Sequence, residues 1–236
     1  MTLSVVALDT ATGQIGVVTV TAIPGGAALV PHVAADAGAI AAQGRPEASS
    51  GADGLAMLRA GKGAEAVVAA LMRRGEDRGR RQIVVADVAG QLAARSGSDL
   101  PSWSGDAAFP FDPRGGFALA GNSLAGSEVM SEAARTFSGT PGALALRFIA
   151  AMRAAAFAGG DRRGLRSAAM LIRDRWGAPV VAMSVDDDPN PVEALARRIT
   201  GEQGAAPAPA GLDVRRFYDL LASAGLPPPL QSGARP

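Results

Sequence analysis

Apolar residues open the chain in two runs divided by a polar break. Residues 3–8 alternate weakly, Asp9-Thr10-Ala11-Thr12-Gly13 supplies turn chemistry, and residues 15–22 are rich in β-branched side chains. That succession predicts a β-hairpin that starts almost at residue 2. Further short strands are expected at residues 28–31 and 37–42. Helical periodicity follows at residues 53–60 and 64–74, split by Gly61-Lys62-Gly63, a stop signal and a restart. Residues 81–87 and 91–95 read as a second hairpin across Val88-Ala89-Gly90.

The second half repeats the scheme. Residues 117–120 form an expected strand running into Gly121-Asn122, and helices are expected at 127–137 and 141–157. Thr140 is read as the cap of the latter, with Pro141 at its first position. A loop at 159–164 leads to strands at 167–173 and 180–185, and a helix at 191–200 closes the domain. Strand pairs separated by helix pairs imply an α+β fold with two helical layers around stacked antiparallel sheets. Residues 1–203 are taken as that domain. Residues 204–236 read as an Ala/Pro-rich linker, one short helix and a loose tail.

Composition narrows the chemistry. The chain has 236 residues, of which 48% are hydrophobic and 19% charged, the balance of a globular protein. Its longest apolar stretch, residues 143–158, is interrupted by Arg147 and Arg153, so no bilayer-spanning segment and no membrane partner are expected. The first twenty residues hold neither Lys nor Arg, which argues against a secretory signal and makes the cytoplasm the expected location. A net charge of +1 gives no basic excess for nucleic acid. With no Cys and a single His, thiolate metal sites and cysteine nucleophiles are excluded, and a His-based triad has only His32 to use. No cofactor is expected, since Gly61-Lys62-Gly63 lacks the phosphate-loop pattern.

Thr2 is the first candidate for chemistry. Aminopeptidases remove Met1 when a small residue follows, and the product begins with an amine beside its own hydroxyl. Such a pair is a nucleophile with a built-in base. The plain alternative is that Thr is a common second residue. Asn122, between a strand and a helix, could donate to a developing oxyanion or serve as a turn residue. In Gly159-Gly160-Asp161-Arg162-Arg163-Gly164, Asp161 could orient an amine, and an arginine could clamp a carboxylate; a solvated loop is the alternative. Asp186-Asp187-Asp188-Pro189 invites a metal, but consecutive acids at a strand end diverge, and a helix-capping turn is preferred. His32 could act as a general base, but its apolar neighbours favour a packed or partly exposed ring; Gln43 and Trp103 are candidate pocket residues equally suited to backbone or packing roles.

These segments together resemble the bacterial family known as domain of unknown function 1028. The resemblance is carried by residues 2–9 and 12–17, Val30-Pro31, Gly38-Ala39-Ile40-Ala41-Ala42-Gln43, and Gly54-Leu55. It continues through Gly121-Asn122-Ser123-Leu124-Ala125-Gly126, residues 159–164, Ser167-Ala168-Ala169 and residues 185–191. The sequence departs from the family pattern at His32, where an aromatic residue is usual. It departs again after Gln43, where Gly44-Arg45-Pro46-Glu47-Ala48 replace an Asn-Pro stretch, and at Arg166 and Asp188.

The resemblance implies an αββα sandwich of the N-terminal-nucleophile (Ntn) hydrolase type. It implies that residue 2 is the nucleophile and that the strands bearing Thr2, Gln43 and Asn122 converge. Lys62, at a helix junction, is poorly placed as a base, so the Thr2 amine takes that role with Asp161 tuning it. The expected activity is hydrolysis of a small amide, of N-acyl or carbamoyl amino acid type. Thr2, Asn122 and Asp161 are the expected catalytic residues, and His32, Gln43, Trp103 and Arg162 the expected substrate-binding ones. A non-catalytic binding or scaffolding protein is the rival reading, and a homo-oligomer is the one macromolecular partnership left open.

Overall fold

The structure, a computed structural model, describes residues 2–101, 103–111, 115–161 and 163–201. The N-terminal hairpin pairs β1 (Thr2–Asp9) with β2 (Gln14–Thr21), Thr2 opposite Thr21. Asp9 closes its turn by accepting from the Ala11 N–H and the Thr12 hydroxyl. β3 (Pro31–Ala34), β4 (Gly38–Gly44), β5 (Arg81–Asp87) and β6 (Leu92–Ser96) form a four-stranded antiparallel sheet in that order. The larger sheet adds β7 (Gly105–Phe111), β8 (Gly115–Asn122), β9 (Ser167–Arg173) and β10 (Pro179–Val185). Its order is β10-β9-β2-β1-β8-β7, which makes β1 and β2 its centre.

Strand periodicity decides what lies on each face. In β1, Leu3, Val5 and Ala7 pack with Val18, Val20, Phe117 and Leu119 under α3 (Glu128–Gly139) and α4 (Leu144–Phe157). Phe117, Phe137 and Phe148 pack in sequence there as tilted rings, with centroids 4.5 and 5.5 Å apart and planes inclined by 43° and 40°. Each such buried ring is worth about 3–5 kcal/mol against alanine. On the small sheet, Ile40, Ala42, Ile83 and Val85 pack under α1 (Ser50–Arg59) and α2 (Ala64–Met72). The remaining faces meet: Val6, Ile15, Val17, Ala118 and Ala120 against Ala39, Ala41, Val84 and Ala86. The result is helices, sheet, sheet, helices. α5 (Pro191–Thr200) lies against β9 and β10, entered through Pro191 and ended by left-handed Gly201.

The expected hairpins and the helix at 191–200 are present, and three expectations are corrected. Residues 28–31 are not a strand. A 3-10 turn (Gly26–Leu29) stands there, because Gly25 adopts φ +69° and the Ser167 hydroxyl takes the Ala27 N–H, so pairing begins only at Pro31. Thr140 does not cap α4. It closes α3, its hydroxyl donating to the Thr136 carbonyl at 2.7 Å, and α4 begins at Leu144. β7 was not anticipated: it is an edge strand whose Phe109-Pro110-Phe111 shows little alternation, and an edge tolerates proline's missing N–H. Among the described residues no helix is long and apolar enough to cross a membrane. The expected linker, helix and tail at 204–236 lie outside the described residues.

Candidate functional site

The layer between the sheets changes character along its length. Toward the β1–β2 turn it is aliphatic; toward the start of β1 the same face carries Thr2, Ser4, Thr19, Thr21, Gln43, Gln82 and Asn122, all buried. Register explains the gathering. Thr2 sits between Thr21 of β2 and Asn122 of β8, and Gln43 lies opposite Gln82 across β4 and β5. Each residue falls on the inward parity of its strand, so the polar set gathers in one layer between the two facing sheets.

The hydrogen bonds form a directed chain. Gln82 Nε2 donates to the carbonyl oxygens of Gly121 at 2.8 Å and Gly105 at 3.2 Å, and to the Ser96 hydroxyl at 2.8 Å. Backbone carbonyls only accept, so this fixes the orientation of the Gln82 amide and turns its Oε1 inward. There Oε1 accepts from Gln43 Nε2 at 2.9 Å and from Asn122 Nδ2 at 2.8 Å. Gln43 Nε2 also donates to the carbonyls of Ala120 at 3.0 Å and Thr2 at 3.3 Å, while its Oε1 accepts from the Ser4 hydroxyl at 2.6 Å. Gln43 therefore ties the two sheets together directly beneath Thr2, a role for backbone and register rather than for the cleft wall.

Above this network a cleft of about 460 Å³ opens, lined by Thr2, Asn122, Ser123 and Arg163, with Arg45, Arg80 and Asp99 on its rim. The Thr2 hydroxyl donates to Thr21 Oγ1 at 3.2 Å. Asn122 presents its amide to the cleft with one N–H committed to Gln82, which leaves the second for a ligand. Ser123, next in sequence, is the one non-glycine residue among those described with positive φ, +55°. Left-handed backbone at a serine costs energy and clusters at functional sites. Its strain turns the chain out of β8 at the cleft wall.

The structure distributes the expected residues unevenly. Thr2 and Asn122 are paired neighbours in the cleft. Asp161 has a fully buried side chain, 1% exposed, and its carboxylate takes the Arg163 N–H at 2.8 Å, Nε at 3.2 Å and Nη2 at 3.0 Å. Burial pushes the Asp161 carboxyl above its ordinary value, opposed by the hydrogen bond from the Arg163 backbone. Arg163 of that loop lines the cleft; Arg162, the arginine expected to bind substrate, lies outside the described residues.

His32 points away from the cleft, to the helical side of its sheet, where its ring lies so close to Gly51 of α1 that a Cβ there would fall 2.1 Å from Cδ2. Burial lowers its pKa below 6.5, only partly offset by a backbone hydrogen bond at Leu29. Trp103 is outside the cleft lining; its carbonyl accepts from the Leu124 N–H at 3.1 Å, which makes it a loop anchor. Lys62 is exposed between α1 and α2.

The three aspartates after β10 have separate duties. Asp186 accepts from the Ser184 hydroxyl, Asp187 pairs with Arg166, and Asp188 takes the Asn190 N–H that opens α5. Among the described residues no cluster of acids and histidine is spaced for a metal ion. Gln82 is what sequence reasoning missed, while Arg163 stood in the loop it named but Arg162 was the one expected to bind substrate. The signal for Gln82 was present, a glutamine at an inward position of an otherwise aliphatic strand, as at Gln43.

Residues 2–195 match the family described as a family of unknown function, DUF1028. No curated protein matches the chain. The crystal structure of protein SPO2555 from Silicibacter pomeroyi, itself described as DUF1028, is 30% identical over 83% of this chain and 86% of that one, with a TM-score of 0.74. By that match over nearly all the described residues, and by the likeness of fold that accompanies it, the chain belongs to the DUF1028 family.

Proposed function

We propose that the protein is an Ntn-type hydrolase of small amides, with Thr2 as nucleophile after removal of Met1. The observation that carries this reading is the register of β1, which sets Thr2 beside Asn122 at the mouth of a cleft and on a rigid central strand. In the reaction, Thr2 Oγ attacks the amide carbonyl carbon while the Thr2 amine accepts the hydroxyl proton. The carbonyl oxygen becomes an oxyanion, and the free N–H of Asn122 is the donor offered to it. Collapse breaks the C–N bond, and the ammonium returns its proton to the leaving nitrogen. Water, deprotonated by the same amine, then hydrolyses the Thr2 ester. The Gln82 and Gln43 amides hold Asn122 and the Thr2 strand, so the donor is oriented before substrate arrives.

Intact-mass measurement and an amide panel test the proposal together. The expected result is a protein lacking Met1 that releases amine from at least one amide, with Thr2→Ala reduced to a few per cent or less of that rate. A retained Met1, or an Ala variant that keeps its turnover, overturns it.

A further inference from the structure

The charges around the cleft are one-sided. Among the described lining residues Arg45, Arg80 and Arg163 stand against one carboxylate, Asp99, with the buried Asp161 carboxylate behind Arg163. Arg45 has only a loose, exposed partner in Asp77, 3.7 Å away, and Arg80 has no ion-pair partner among the described residues. An excess of guanidinium groups over a small cleft favours an anion, and a planar fork matches a carboxylate.

Arg163 is the arginine whose position is fixed. A guanidinium carries five N–H donors. Nε and Nη2 each give one to Asp161, which leaves both N–H groups of Nη1 and the second of Nη2. The Asp161 carboxylate is sealed from solvent while the Arg163 side chain is 59% exposed, so one end of the guanidinium is anchored and the other faces outward. The backbone sets the distance to the nucleophile. Asp161 bridges to Leu124, and the Ala125 N–H donates to the Gly160 carbonyl at 3.0 Å, two and three residues after Asn122. The loop bearing Arg163 is thus locked to the strand end bearing Asn122, which is paired with Thr2. A side chain anchored in this way loses less rotamer freedom on binding than a free arginine.

We infer that the cleft selects amides that carry a carboxylate, received by Arg163, with Asp161 as the residue that positions it. For turnover this inference rests on the reading of Thr2 as nucleophile; for binding it rests on the cleft alone. A carboxylate held at Arg163 and a scissile carbonyl at Thr2 and Asn122 describe an acylated amino acid or a related amido acid of small size. Arg45 and Arg80, also in the lining and exposed, add attraction over distance and steer the anion inward, a contribution that salt weakens.

The test separates binding from chemistry. The Thr2→Ala protein is titrated calorimetrically with a series of N-acetyl amino acids and with the matching carboxamides, which differ only in the charge. The acids are expected to bind about ten- to a hundredfold more tightly, the worth of one charge-assisted bond. Arg163→Ala in the same background brings the ratio close to one, and Arg163→Lys recovers part of it. With Thr2 intact the same preference appears in kcat/KM, and Asp161→Asn raises KM for the acids while kcat is largely kept. Equal binding of acids and carboxamides, binding of neither, or a preference that survives Arg163→Ala overturns the inference. A loss in kcat at constant KM for Asp161→Asn overturns its positioning role. An Arg163-dependent preference in a protein that hydrolyses no amide keeps the carboxylate site and removes the nucleophile. Turnover of neutral and acidic amides alike does the reverse.

Discussion

Replacing Gln82 by methionine removes five hydrogen-bond relationships with little change in side-chain shape. The residue is fully buried at the inward face of β5, and methionine is unbranched and of similar volume, so the cost is that of polarity rather than of a cavity. Gln43 keeps its bonds to Ala120 and Thr2. Asn122 Nδ2 and the Gly121 carbonyl lose a buried partner outright, while Ser96 and Gly105 sit where the network is only partly buried. Each orphaned buried group costs about 1–3 kcal/mol, so two predict a loss of about 2–6 kcal/mol. In a domain of this length that is a fall in Tm of roughly 4–24 °C. Thermal and urea unfolding of the wild type, Gln82→Met, Asn122→Ala and the double variant measure both the loss and the coupling. The double variant is expected to be less destabilised than the sum of the singles by at least about 0.5 kcal/mol, since the two residues share one bond. A Tm within about 3 °C of wild type for Gln82→Met, or strict additivity, refutes the reasoning that this amide holds the polar layer.

Two further outcomes follow from the same geometry. Asn122→Ala, assayed on whichever amide is turned over, is expected to lower kcat by about 10²–10³ with KM little changed, since an oxyanion donor acts in the transition state; loss of stability with normal kcat assigns Asn122 to structure alone. His32 is the only histidine, and its burial holds the folded pKa below 6.5, so the unfolded chain binds the proton first as pH falls. Stability is therefore expected to decline as pH drops through and below 6.5, and His32→Phe to flatten that slope; a single imidazole NMR resonance titrating at or above 6.5 contradicts it.

Most of the fold was legible in the alternation of the strands. Leu3, Val5 and Ala7 on one parity and Thr2, Ser4 and Val6 on the other assign β1 to two different cores, and α5 announces both its ends through Pro191 and Gly201. What stayed hidden depends on contacts distant in sequence. Thr140 has the chemistry of an N-cap, yet its hydroxyl finds a carbonyl one turn back in α3. β7 is held by pairing with β8, not by its own pattern. In the site, Thr2 and Asn122 could be named because each stands at a punctuated strand end. The choice of Arg163, and the distance of His32 from the cleft, depend on which face a loop and a strand present after folding. His32 alternates with Val33, and only the stacking of the sheets decides that Val33 faces inward and His32 toward Gly51.

The polar layer also accounts for how β1 keeps its register. Both faces of this strand are buried, so hydrophobic burial alone discriminates weakly between a correct pairing and a shift by one residue: such a shift would exchange Val6 for Val5 at little cost in apolar area. The polar side chains do not permit the exchange. A shift of β1 carries Ser4 away from Gln43 and Thr19, and turns Thr2 toward the aliphatic layer beneath α3 and α4, where its hydroxyl has no partner of the kind Thr21 provides. Each unpaired buried hydroxyl or amide adds its own desolvation cost to the shifted state, so the penalty falls on the wrong structure rather than improving the right one. The same residues that orient Asn122 therefore also fix which residue of β1 stands at the cleft. The role proposed for Thr2 rests on that register, because Thr2 at the start of β1 is held beside Thr21 and Asn122 by the pairing of its own strand.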